Sequence, residues 1–241
     1  MGRDSVSYRR VLLKVSGEAL GHPENGQGID SDAVSLLARQ VARVSRMGVE
    51  VALVCGGGNI LRGANFRSSG IHRASADYMG MLGTVINGLA LSHAIEEEGA
   101  ESRVLTALEI RQVAEPFVRR RALAHLEKGR VIILAGGTGN PFFTTDTAAA
   151  LRASELGCEV LLKGTKVDGV YNADPMKDPK AERFEELKYM DVLRERLQVM
   201  DGTSITLCME SNLPVVVFNS FEEGNIERVV QGEKLGTTIR S

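Results

Sequence analysis

Four short runs of this chain are apolar at successive positions, not at alternate ones: VLLKV (11–15), VALVC (51–55), VIILA (131–135) and VVVF (215–218). A strand with one wet face alternates apolar and polar side chains, because successive residues point to opposite sides of the sheet. These runs have no polar side to offer water, so both of their faces must be covered. A sheet between two helix layers does this, and helical crossovers make such a sheet mostly parallel. The expected fold is therefore α/β, a three-layer α/β/α sandwich around a mostly parallel central sheet. Strands are expected at 10–15, 49–55, 103–105, 130–135, 159–163 and 214–219. Between the first two lies a helical stretch, with Asp30 at its start, Val34, Leu37, Ala38, Val41 and Val44 at helical spacing, and Gly48 as its stop.

With 241 residues, 43% of them hydrophobic, the chain can bury one large core, and no linker-like segment divides it. A single domain, 1–241, is expected. The 29 basic and 31 acidic residues nearly cancel, which argues against a general nucleic-acid surface but not against a small anion held in a pocket. Arg119, Arg120 and Arg121 form the densest basic run and read as a solvated helix start. Cys55, Cys158 and Cys208 are isolated among apolar residues and read as reduced core thiols, which suggests the cytoplasm. No zinc spacing and no secretion-signal pattern is seen, and the metal ligands are unknown. The stretch 78–95 carries no Asp, Glu, Lys or Arg. It is short for a membrane span and holds Asn87, Ser92 and His93, so it reads as a helix buried on several sides, in the core or against another subunit.

In an open parallel sheet, ligands bind beyond the carboxyl ends of the strands. The first strand is followed there by Lys14, Val15, Ser16 and Gly17. The second is followed by Gly56, Gly57, Gly58 and Asn59, with Arg62 close by. After the fourth comes GGTGN (136–140), and after the fifth Lys163, Gly164 and Thr165. Parallel strands would bring all four turns to one rim. Bare backbone lets N–H groups approach an anion closely, and consecutive N–H groups form a concave nest for it. The rim reads as a phosphate site, although neither the P-loop pattern GxxxxGK[ST] nor the dinucleotide pattern GxGxxG is present.

Several residues admit two readings. Lys14, at the end of a buried strand, either snorkels to water or points into the crevice, held by carboxylates or phosphates. Asp146 suits the first turn of a helix over 144–156, capped by Thr144 or Thr145, and can also orient Lys14 or a metal. Phe142 and Phe143 can flank a flat base, and at least one of them is expected in the core. Thr138, Asn140 and Thr145 offer polar groups to a base edge. Asp168-Gly169 signals a hairpin turn before an Asp-Pro-rich segment.

The motifs KVSGEAL, GGGNILRG, ADYMGMLGTVINGLAL, GTGNPFFTTDTAA and KGTKVDGVYNADP resemble those of the bacterial uridylate (UMP) kinases, within the amino acid kinase superfamily, from about Tyr8 to the C-terminus. The resemblance implies transfer of the γ-phosphoryl of ATP, with Mg²⁺, to UMP. It implies catalytic roles for Lys14, Arg62 and Asp146, with Lys163 a rival to Lys14. It implies an ATP site of Lys14, Val15, Ser16, Gly17, Gly58, Arg62, Thr165, Tyr171 and Asp174. The implied UMP site is Gly57, Asp77, Thr138, Gly139, Asn140, Pro141, Phe142, Phe143, Thr144 and Thr145. The UMP side would fall mainly in 50–150 and the ATP side mainly in 160–241. A homohexamer built from dimers is implied, with the helix at 76–95 a candidate dimer contact. The segment 20–28 lies where the family responds to GTP, so GTP as activator and UTP as inhibitor are open partners. Gly83 replaces a common alanine of the family. Two rivals are a superfamily kinase for an amino acid or carbamate, and a non-catalytic nucleotide-dependent assembly like the molybdate-storage proteins.

Overall fold

The structure, a computed structural model, describes residues 6–61, 70–173, 175, 177, 178 and 180–241. Its strands are β1 (Arg10–Val15), β2 (Glu50–Cys55), β3 (Ser102–Thr106), β4 (Glu115–Pro116), β5 (Val131–Ala135), β6 (Val160–Thr165), β7 (Glu186–Lys188), β8 (Val215–Asn219) and β9 (Thr237–Arg240). They form one sheet in the order β4-β3-β5-β2-β1-β6-β8-β9-β7. Adjacent strands are parallel except β8 and β9. Seven helices are described: α1 (Ser31–Arg46), α2 (Arg73–Glu97), α3 (Arg119–Leu126), α4 (Thr145–Leu156), α5 (Tyr189–Arg194), α6 (Gly202–Glu210) and α7 (Asn225–Val230).

The doubly apolar runs do what their composition demands. In β1, Val11, Leu13 and Val15 pack with α1, α2 and α7 on one face, while Leu12 joins α3, α4, α5 and α6 on the other. The strands β2, β5 and β6 divide their side chains in the same way. The three-layer α/β/α sandwich expected from the sequence is therefore the fold. Alternation puts Lys14 on the face of Leu12, under α4. The same rule puts Lys163 there with Leu161.

Local signals set the helix ends. The Asp30 carboxylate caps α1 by accepting from the Ala33 N–H at 2.9 Å. Thr144, not Thr145, caps α4, its hydroxyl oxygen accepting from the N–H groups of Asp146 (3.1 Å) and Thr147 (3.2 Å). Gly157 closes that helix at φ 65°. The triple arginine begins α3 on the exposed surface, as expected. Cys55, Cys158 and Cys208 are free and buried, and burial pushes each thiol up to about 12. They are protonated and unreactive at neutral pH. Among the described residues, no helix is long and apolar enough to cross a membrane.

Two local expectations fail. Asp168-Gly169 does not make a two-residue hairpin. The chain runs on, and Phe184 N–H donates to Val170 O (2.8 Å) while Asn172 N–H donates to Glu182 O (3.1 Å), so the reversal lies beyond Asn172. Phe142 and Phe143 are both solvent-facing, 57% and 49% exposed, and neither joins the core.

Candidate active site

The register of the sheet creates the central problem of the site and its solution. Lys14 of β1 and Lys163 of β6 are paired across neighbouring parallel strands, so two ammoniums rise side by side from the same face. Both side chains are only 12% exposed. Two like charges so placed require a carboxylate between them. Asp146, in the first turn of α4, supplies it. Lys163 Nζ donates to its Oδ2 at 2.8 Å. Lys14 Nζ lies 2.6 Å from Oδ1 as an ion pair. Lys163 also donates to Val199 O.

Electrostatics follow from this triad. Burial alone would raise the Asp146 carboxyl, but the ammoniums of Lys14 and Lys163 outweigh it and hold the group below its ordinary value. Burial lowers the Lys163 ammonium from the usual lysine value, and Lys14 pushes the same way against the pull of Asp146. The triad is a charged, partly desolvated cluster at the carboxyl edge of the sheet.

The glycine turns meet around it. A Cβ on Gly17 would lie 2.5 Å from Gly56 O, 2.6 Å from Asn59 Oδ1 and 2.8 Å from Gly58 N, so the turns after β1 and β2 are in direct contact. A Cβ on Gly57 would lie 2.5 Å from Gly80 O, so this turn also presses on α2. Gly17→Ala is expected to wedge the turns apart and lower kcat/KM by about a hundred-fold or more, since a displacement near 1 Å can cost that much. Steady-state kinetics beside a thermal melt checks it, and an unchanged kcat/KM would contradict the close packing.

Two hollows flank the triad. The first is lined by Gly57, Gly58, Asp77, Thr138, Phe143, Thr144 and Thr145, together with Leu61, Ala76, Gly80, Met81, Thr84 and Gly137 of α2 and the flanking turns. Gly139, Asn140, Pro141 and Phe142 form its outer turn, not its wall. That turn is closed on itself: Thr138 Oγ1 accepts from Asn140 N–H at 3.2 Å. Phe142 holds φ 73°, unusual for a residue with a side chain, and its N–H donates to Asp77 Oδ2 at 2.8 Å. Arg73 sits over its ring, 5.0 Å from the centroid. One oxygen of Asp77 is thus spent on holding the turn.

The second hollow, about 560 Å³, is walled by Thr165, Val167, Gly169, Val170 and Tyr171 on one side and Leu197, Gln198 and Val199 on the other. It is apolar enough for a flat ring and edged with hydroxyls. Tyr171 donates to Asp168 Oδ1 at 2.5 Å, which raises the phenol and lowers the carboxyl, and Arg183 pairs with the same carboxylate at 2.8 Å. Val15 reaches the rim through its backbone alone, accepting from Gly56 N–H at 3.1 Å, while its side chain is in the core on the α1 face. Arg62 and Asp174, both expected at the site, lie outside the described residues.

Sequence reasoning missed Asp201. Its Oδ2 accepts from Thr144 Oγ1 at 2.5 Å, its Oδ1 accepts from Thr147 Oγ1 at 3.0 Å, and the same Oδ1 caps α6 at Ser204 N–H, 3.1 Å. It locks the start of α4, and hence Asp146, to α6. The signal was present as an Asp-Gly-Thr-Ser cap pattern at 201–204. No group of three or more His, Cys, Asp or Glu suited to a metal ion occurs among the described residues. Among the described residues, the carboxylate between the two lysines is engaged by both, so it suits a cation that arrives on phosphate oxygens rather than one caged by protein.

Residues 9–219 match the Amino acid kinase family. Among solved structures, the UMP kinase from Bacillus anthracis is 40% identical, with a TM-score of 0.94, over 97% of this chain and 96% of that one. The UMP kinase from Ureaplasma parvum is 35% identical, with a TM-score of 0.91, over 97% and 99%. The uridylate kinase from Archaeoglobus fulgidus is 27% identical, with a TM-score of 0.72, over 95% and 99%.

Proposed function

As the chain belongs to the amino acid kinase family, we infer that it is an ATP-dependent UMP kinase, which moves the γ-phosphoryl of ATP to UMP and yields UDP and ADP in pyrimidine nucleotide biosynthesis. The observation that carries this reading is the Lys14–Asp146–Lys163 triad set between two hollows on one sheet edge, in a chain whose near-full-length relatives are named UMP kinases. The smaller hollow takes UMP and the larger takes the adenosine of ATP, so the two phosphate chains meet head to head over the triad. The UMP side falls mainly in 50–150 and the ATP side mainly in 160–241.

Phosphoryl transfer asks a protein for in-line positioning and charge stabilisation, not covalent help. The turn at 14–17 and Gly58 hold phosphates of ATP. Lys14 meets the moving phosphoryl, and Asp146 aims Lys14. Arg62 adds positive charge at the junction, and Asp174 with Thr165 and Tyr171 holds the adenosine. Asp77 keeps one oxygen for the UMP ribose while the other fixes the base-side turn. No general base is required, because the attacking UMP oxygen is already anionic. Mg²⁺, when bound with ATP, would supply charge neutralisation to the phosphates that the turn at 14–17, Gly58 and Lys14 hold.

A coupled assay for ADP release, with and without UMP, tests the reading. ADP release that requires UMP is expected. Release without UMP, or with an amino acid or carbamate in its place, would refute it. UMP should be preferred to CMP by about a hundred-fold or more, because a mismatched base edge leaves polar groups of the 138–145 turn unpaired. Equal kcat/KM for both would remove that role from the turn.

The outer face of α2 supports the oligomer. Tyr78, Met79, Leu82, Ile86 and Leu89 are exposed at helical spacing. An apolar stripe of this kind suits a second copy of the chain, consistent with a cytoplasmic homohexamer built from dimers. GTP activation and UTP inhibition belong to the same reading, and a titration of activity with each decides them.

A further inference from the structure

The inner face of α2 holds a polar network whose hydrogen bonds are made within the protein. Asn87 is fully buried and Asn59 nearly so, at 0% and 4% exposure. Their amides pair reciprocally. Asn59 Nδ2 donates to Asn87 Oδ1 at 2.9 Å, and Asn87 Nδ2 donates to Asn59 Oδ1 at 2.7 Å. The second hydrogen of each reaches backbone: Asn87 donates to Gly56 O at 2.7 Å, and Asn59 to Gly28 O at 2.7 Å. Gly28 N–H returns a bond to Asn59 O at 2.9 Å. One turn away on the same helix face, Thr84 Oγ1 accepts from Gly136 N–H at 2.8 Å and donates to Met81 O at 2.6 Å.

Two side chains of α2 thus grip two glycine turns that share the wall of the smaller hollow, the first of which also leans on the turn at 14–17. Asn87 takes the first residue of the 56–59 turn, which leans on Gly17, and Thr84 takes the first residue of the 136–139 turn. The glycines of these turns have no side chains to fix their separation. Left to backbone torsion alone they would wander by more than in-line transfer tolerates. A fully satisfied buried network is rigid, and an incomplete one is costly, so it holds a single spacing.

Resting on the reading as a UMP kinase, we propose that Thr84 and Asn87 are positioning residues: α2 acts through them as a gauge that sets the gap between the 136–139 turn on the acceptor side and the 56–59 turn, which leans on the donor-side turn at 14–17. Asn87 is fully buried, and Thr84, which lines the smaller hollow, spends its hydroxyl on Gly136 and Met81. Each variant should therefore depress kcat more than it weakens nucleotide binding.

Thr84→Val and Asn87→Leu keep shape and remove the polar grip. Both are expected to lower kcat for UMP phosphorylation about ten- to a hundred-fold. ATP dissociation constants should stay within about three-fold, as the ring wall of the larger hollow is untouched. Thr84→Ser, which retains the hydroxyl, should recover most of the loss. Hydrogen exchange read by mass spectrometry should quicken in peptides covering 56–61 and 136–140 but not in the strand at 10–15. Wild-type kcat in both variants would overturn the proposal. So would exchange that rises equally in the strand, failure of both variants to fold, or a Thr84→Ser enzyme no better than Thr84→Val. If the wild type itself forms no UDP, the functional reading fails, and the exchange comparison still decides whether the grip sets the turns.

Discussion

Lys14→Ala is expected to lower kcat by about 10²–10³, the usual cost of removing one preorganised charge from a transition state, while the chain stays folded. The assignment of this role to Lys14 rather than to Lys163 comes from where their hydrogens go. Lys163 Nζ is committed twice, to Asp146 Oδ2 and to Val199 O, and so helps to build the floor. Lys14 pairs, among the described residues, with Asp146 alone. Its ammonium keeps donors for phosphoryl oxygens. Alanine at position 14 also relieves the repulsion between the two ammoniums, so Asp146 retains a partner in Lys163. Thermal stability should therefore change little while turnover collapses. Lys163→Ala should show the opposite balance, with a larger loss of stability and a smaller loss of kcat. Rates at saturating substrate, set beside melting curves of both variants, make the comparison. Near-normal turnover in Lys14→Ala would withdraw the role, and the greater kcat loss in Lys163→Ala would transfer it.

The layers were legible because burial on both faces leaves a one-dimensional mark. VLLKV, VALVC, VIILA and VVVF admit no wet side, and the rim followed from asking what comes after each run. The glycine turns were legible for the same reason. What was hidden depends on pairing across the chain. The two lysines are separated by 149 positions along the sequence, and only the β1–β6 register makes them neighbours. Asn87 sits in a run without charges that reads as small-residue helix, and nothing local tells a buried amide with three good bonds from one that is merely tolerated. β4, β7 and β9 escaped because strands of two to four residues carry no periodicity to detect. Phe142 and Phe143 misled because aromatic residues usually pack inward. Here a carboxylate from α2 pins the Phe142 backbone and turns both rings toward the opening.

The remaining large effect is on stability and has a pH signature. Asp146→Ala leaves two register-paired ammoniums buried with no carboxylate between them, and breaking a buried pair in this way costs about 3–5 kcal/mol. The wild-type contribution follows the folded-state shift of the carboxyl. That shift is downward, so the stabilisation is complete above the ordinary Asp range and disappears as pH falls through the lower, folded value. The difference between wild type and variant should therefore be largest near neutrality and shrink in acid, where both forms carry an uncharged group at position 146. It should shrink again in alkali. The Lys163 ammonium, already lowered by burial, loses its proton more readily once its counter-charge is gone, which relieves the repulsion that the variant suffers. Urea unfolding at one protein concentration, repeated at pH 7, at pH 10 and at an acid pH below the ordinary Asp range, measures the gap directly. Fixed concentration matters because assembly through α2 would otherwise shift the midpoint by mass action. A gap that is flat across the three pH values would mean that Asp146 stabilises α4 merely as a first-turn acid. The lysine pair would then have to be neutralised by some other group, and the triad would lose its place at the centre of the site.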